Sequence, residues 1–251
     1  NTLRDNVKTL APYLDKHTIL LSATKGLEKG TSMRMSQVIE EELPKANLDN
    51  IAVLSGPNLA QEIIDGKPAS TVVASKKEES ARQAQSILNS TKFRVYTNTD
   101  IIGVELGGAL KNIIALGTGI CDGLNYGDNT KAALITRGLA EIARLVVAAG
   151  GRASTLSGLA GMGDLIATCS SNLSRNHYVG KQLARGNTLS ETRTRMKHVA
   201  EGIDTTAAAI VLAKRLGVEM PITQAIYNIL FKGMSINQAI SELMGRAPTP
   251  E

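Results

Sequence analysis

Near residue 99 the apolar pattern changes period, and that single change limits the chain to a layered α/β part followed by a helical part. Before it, short apolar runs at 18–23, 51–54, 71–74 and 93–97 read as buried strands. Helical spacings separate them: 1–14 (Leu3, Val7, Leu10, Leu14), 32–43 stopping before Pro44, the stretch with Leu59, Ile63 and Ile64, and 78–88. Strands and helices alternating at this interval predict a largely parallel sheet, whose ligands sit off the carboxyl ends of the strands. After Asp100 only helical periods remain, at 100–123, 130–149, 162–170, 175–185, 201–216, 221–231 and 236–243. Asn98-Thr99-Asp100 supplies a turn and a helix N-cap between the two parts. The expected division is residues 1–99 and 100–251, with no internal repeat and a frayed RAPTPE tail.

Composition narrows the function. A chain of 251 residues with 43% hydrophobic content can bury real cores. No apolar run reaches the length of a membrane span, and the N-terminus lacks the apolar stretch of a signal peptide. The chain opens at Asn1 inside a helical pattern, which suggests a fragment of something longer. Net charge is +5 without a polybasic run, and aromatics are only 3%, so a small anionic substrate is a better partner than nucleic acid. His17, His177 and His198 have no metal-ligand spacing, and no metal is expected. Cys121 and Cys169 sit in apolar helical settings, which favours a reducing cytoplasm over a disulfide framework.

The chemistry concentrates in a few polar residues set in apolar surroundings. Lys111 lies in GVELGGALKN, inside a glycine-rich apolar helix, beside Asn112. A mid-helix lysine ordinarily snorkels to water. Here the flanking glycines and alanines admit a close neighbour, and little polar surface lies nearby, so it reads as a buried working amine. Lys25, in the turn Thr24-Lys25-Gly26 after a strand, is otherwise a solvated turn lysine. Ser55-Gly56-Pro57-Asn58 is either an ordinary strand-to-helix turn or a set of free N–H groups facing an anion or a cofactor amide. Asp164 and Thr168 share one helix face, where Asp164 is otherwise a capping carboxylate. Ser174-Arg175-Asn176 combines a guanidinium, an amide and a helix start, a suitable phosphate cradle. Gly117-Thr118-Gly119 and the G-x-x-G-x-G at 158–163 are decoys, since neither follows a strand as a dinucleotide fingerprint must.

Taken together, SATKGLE, LSGPNLAQE, the forty-residue block from GVELGGALKN to RGLAEI, LAGMGDLIATCSSNLSRN and VAEGIDTT resemble the bacterial-type NAD(P)-dependent glycerol-3-phosphate dehydrogenases. The resemblance covers nearly the whole chain. It implies a partial Rossmann-like parallel sheet domain, the first strand–glycine loop unit of that family preceding the region seen here, followed by an all-α substrate domain. It also implies NAD or NADP as cofactor, a phosphorylated three-carbon substrate and a homodimer. Position by position, Lys111 matches the acid/base lysine, Lys25 a substrate and cofactor contact, and Asp164, Ser174, Arg175 and Asn176 substrate contacts. Arg175 also reaches the cofactor, and Thr168 lines the site. Gly56, Asn58 and Ala60 match the SGP-loop contacts, and Val199 and Glu201 match cofactor contacts. The family usually has Ser or Thr where Asn58 stands. Two other readings remain open on the residues alone: a catalytically silent phosphate-binding or dimerisation module, and a related lysine-dependent hydroxyacid or phosphogluconate dehydrogenase.

Overall fold

The structure is a computed structural model that describes residues 2–43, 49–196 and 199–248. Pro44, His198 and the last residues of the tail lie outside them. The first part runs α1 (Thr2–Leu10), β1 (Leu20–Ser22), α2 (Met35–Glu42), β2 (Ile51–Ser55), α3 (Ala60–Ile64), β3 (Ala69–Ser75), α4 (Glu78–Leu88) and β4 (Phe93–Asn98). The four strands form one sheet in the order β1-β2-β3-β4. β1–β2 and β3–β4 pair in parallel, joined by the crossover helices α2 and α4, whereas β2–β3 is antiparallel. The reversal has a simple cause. With five residues, α3 advances only about 8 Å at ~1.5 Å per residue, too little to return the chain along the sheet before β3 begins. β3 therefore starts at the edge where β2 ends, and the SGPN loop is caught between them.

That reversal positions everything downstream. β4 ends at the opposite edge, so α5 (Ile101–Gly123) must begin there and cross the sheet. Asp100 caps it, its carboxylate accepting from Gly103 N at 2.9 Å, as the Asn98-Thr99-Asp100 turn implied. Ile101 and Val104 pack on Val53, Val72 and Ala74 of the sheet. From Asp100 to Lys111 the helix rises about 16 Å at ~1.5 Å per residue, close to the ~17 Å that five-residue β2 spans. Lys111 thus emerges just past the carboxyl ends of β1 and β2.

Beyond that point α5 is the axis of the helical part, surrounded by α6 (Gly127–Ala148), α7 (Asp164–Ser170), α8 (Arg175–Ala184), α9 (Leu189–Thr194), α10 (Glu201–Leu216), α11 (Pro221–Phe231) and α12 (Ile236–Met244). The main core gathers Leu106, Leu110, Ile113, Ile114 and Leu116 of α5 with Ile142, Leu145, Leu165, Val179 and Ile203 from its neighbours. The expectation that no segment has membrane-spanning length is corrected here. Among the described residues α5 is long and apolar enough to cross a membrane, yet 89% of its most apolar window is buried inside the fold. Its hydrophobicity on all sides is that of a central core helix.

Candidate active site

The site forms where two glycine-dependent approaches meet α5. A Cβ on Gly107 would come within 2.7 Å of the Ala160 carbonyl, and one on Gly108 within 2.2 Å of Ser55 Oγ. Bare backbone at these positions lets two structures close on the helix from different sides. One is the end of β2; the other is the turn Leu159–Gly163, which adopts a π-helical conformation and delivers Asp164 as the first residue of α7. Asp164 is 1% exposed and faces Lys111, one helical turn beyond Gly108 on the same side of α5.

Five sequence-predicted residues converge there. The Lys111 ammonium donates to Asp164 Oδ1 and, at 2.6 Å, to Thr168 Oγ1. Thr168 Oγ1 donates onward to the Asp164 backbone carbonyl at 2.6 Å, the i,i+4 geometry of one helix face. Lys25 Nζ donates to Asp164 Oδ2 at 2.6 Å and to the Gly56 carbonyl at 3.0 Å. A single buried carboxylate is therefore shared by two ammonium groups, and each amine retains a third hydrogen for a ligand. Burial pushes the Lys111 amine down from 10.5 to about 8; Asp164 opposes that shift and the positive Lys25 adds to it. An amine near 8 is suited to giving and taking a proton near neutrality.

The other candidates stand around this cluster in structural roles as well. Asn58 turns its amide to β3, accepting from Thr71 Oγ1 at 2.8 Å and donating to the Ser70 carbonyl at 3.3 Å, so the side chain fastens the SGPN loop. Ala60 is exposed at the start of α3. Ser174 caps α8, its Oγ accepting from His177 N at 3.3 Å. Asn176, also buried, accepts from Gly202 N at 2.9 Å and so ties α8 to the first turn of α10. Arg175 is exposed and reaches the Val199 carbonyl at 3.0 Å, bracing the segment before α10. Val199 and Glu201 are exposed at the same mouth. Desolvation there holds the Glu201 carboxyl above its ordinary value, while Arg175, Lys25 and Lys111 pull it back, so the acid lies within the field of all three cations. The Asn176–Gly202 tie was not legible in the sequence, because the two residues are distant in the chain and neither carries a motif for it.

An apolar cleft of 1040 Å³ lies between α5, α6, α11 and α12, lined by residues such as Leu134, Ile226, Ile229, Ile240 and Leu243. None of the lysine–aspartate cluster borders it. The paired ionisable groups stand apart from it, at the carboxyl edge of the sheet.

A Rossmann-like sheet whose carboxyl edge meets a helical part bearing a buried, carboxylate-paired lysine is the layout of a class of two-part oxidoreductases. Family models for the N-terminus and C-terminus of NAD-dependent glycerol-3-phosphate dehydrogenase match residues 1–81 and 100–241. This chain belongs to that family. It is 54% identical over 249 residues to a glycerol-3-phosphate dehydrogenase [NAD(P)+] of Dehalococcoides mccartyi, covering 99% of this chain and 69% of the relative. With the enzyme of the same name from Streptomyces griseus it shares 51% identity over 250 residues, covering 100% of this chain and 74% of the relative. The crystal structure of glycerol-3-phosphate dehydrogenase from Coxiella burnetii superposes with a TM-score of 0.90 at 39% identity, covering 98% of this chain and 74% of that one.

Proposed function

We propose that this protein interconverts dihydroxyacetone phosphate and sn-glycerol 3-phosphate with NADH or NADPH, supplying glycerol phosphate for phospholipid synthesis. The carrying observation is the buried Lys111 amine, lowered to about 8 and held by Asp164 and Thr168 at the ligand edge of the sheet. In the reducing direction Lys111 gives its proton to the substrate carbonyl oxygen; in the oxidising direction it removes the proton from the alcohol. Asp164 orients the amine, and Lys25 offers a second ammonium toward the developing oxyanion. Arg175 and the free Nδ2 of Asn176, at the start of α8, hold the phosphate and fix the carbonyl in register.

The residues present fit the nicotinamide end of the cofactor. Gly56 presents bare backbone pinned against Thr71, where a Cβ would come within 3.0 Å of the Thr71 Cα. Ala60, Val199 and Glu201 are exposed, and Lys25 and Arg175 supply positive charge. When bound there, the cofactor supplies the hydride. No residue of this sequence is assigned to the pyrophosphate, because no strand–glycine turn–helix fingerprint occurs in it. We further propose that residues 1–99 and 100–251 act as two domains, that the protein is a cytoplasmic homodimer, and that the named side chains carry the roles given above. In a reductase assay on the active full-length protein, Lys111→Ala should lower kcat by about 10²–10⁴ without changing the circular dichroism spectrum. Near-normal turnover would refute the role.

A further inference from the structure

Among the described residues, one buried side-chain polar atom has no hydrogen-bond partner: Ser55 Oγ. The residue is 2% exposed at the carboxyl end of β2, and its backbone carbonyl lies 3.1 Å from Thr71 Oγ1, sharing that hydroxyl with Asn58. A dry, unpaired hydroxyl is destabilising, so its presence calls for a partner from outside the chain. Its surroundings say which. The point where a Gly108 Cβ would stand lies 2.2 Å from Ser55 Oγ and 3.7 Å from Lys25 Cδ, so the hydroxyl and the Lys25 stem both flank the bare backbone of Gly108. Lys111 follows one turn along the same helix face, and the next residue after Ser55 gives its carbonyl to Lys25. Lys25 is also the member of the cluster most open to solvent, its side chain 17% exposed against 9% for Lys111 and 1% for Asp164. Because the hydroxyl is covered in the free protein, pairing with a substrate requires a displacement here, and Lys25 is the most open of these side chains.

We infer that Ser55 is a specificity-determining residue whose hydroxyl pairs with the free hydroxyl at the unphosphorylated end of the three-carbon ketone. The phosphate is held at the start of α8 and the carbonyl at Lys111, which leaves the third carbon's hydroxyl to the end of β2. A site built to pair a substrate hydroxyl discriminates strongly against an analogue lacking it, since the site's own polar group is then left unpaired. This inference rests on the proposed reaction, and the test separates the two. In the active full-length protein, kcat/KM is measured for dihydroxyacetone phosphate and for hydroxyacetone phosphate, in which a methyl replaces the hydroxymethyl group. The wild type should prefer the former, and Ser55→Ala should reduce that preference about tenfold or more. The variant should also melt at or above the wild-type Tm, because it removes an unpaired polar atom. Equal losses on both ketones, an unaltered preference, or a lowered Tm would each overturn the inference. A wild type that reduces neither ketone would instead overturn the reaction on which it stands.

Discussion

Lys111 shows how much a single side chain depends on its surroundings. An exposed lysine keeps its proton to about 10.4. Here desolvation outweighs the attraction of Asp164, with Lys25 assisting, and the amine titrates near 8. Ketone reduction needs the ammonium and alcohol oxidation the free amine. The rate of reduction should therefore fall, and that of oxidation rise, as pH increases through about 8; pH–rate profiles in both directions check this. The same shift sets a sign for stability. Between about 8 and 10.5 the unfolded chain binds more protons at this position than the folded one, so this group's contribution to stability grows with pH across that window. Asp164 and Thr168 were expected on one helix face, and the family resemblance implied that both belong to the site of Lys111. Their hydrogen bonds required the structure.

At the scale of elements, the glycines of α5 and α8 determine how closely the two helices approach. A Cβ on Gly119 would lie 2.0 Å from the His177 carbonyl, and one on Gly180 2.0 Å from the Leu116 carbonyl. Gly117-Thr118-Gly119 thus has a packing role, in agreement with its rejection as a nucleotide loop. Gly119→Ala or Gly180→Ala should destabilise the protein by about 1–3 kcal/mol or more, despite the better helix propensity of alanine. Gly163→Ala, whose nearest neighbour would be 3.5 Å away, should stay within about 0.5 kcal/mol. Urea midpoints distinguish the cases. Most elements were legible from period and punctuation; 78–88, 201–216 and 221–231 were read to the residue. α9 was missed although Thr188 and Glu191 form a capping box, because its six residues are too few to show a period. The π-helical turn was missed because its geometry follows from Gly161 fitting against Leu156, a contact with no local sequence signal.

Across the whole molecule, the sheet-bearing and helical parts are joined by a buried ion pair as well as by α5. Glu105 of α5 meets Arg34 and accepts from Ser36 N at 2.7 Å and Ser36 Oγ at 2.6 Å, so it also caps α2. The side chains of Arg34 and Glu105 are only 12% and 7% exposed. Glu105→Ala strands the guanidinium in a poorly solvated place and should cost about 3–5 kcal/mol in denaturant unfolding, while Arg34→Met with Glu105→Leu should recover most of the loss. Nothing in the sequence pairs these residues, since 71 positions separate them and neither stands in a motif. By itself the sequence determined the succession of strands and helices, the change of architecture near residue 99 and the choice of Lys111 as a buried amine, because periodicity and residue chemistry are local properties. Only the tertiary structure decided that β2 and β3 run antiparallel, that α5 consequently crosses the sheet to bring Lys111 out beside Lys25 and Asp164, and that the Ser55 hydroxyl lies unpaired against Gly108. Those are consequences of loop length and of distant backbones in contact, which no local pattern records.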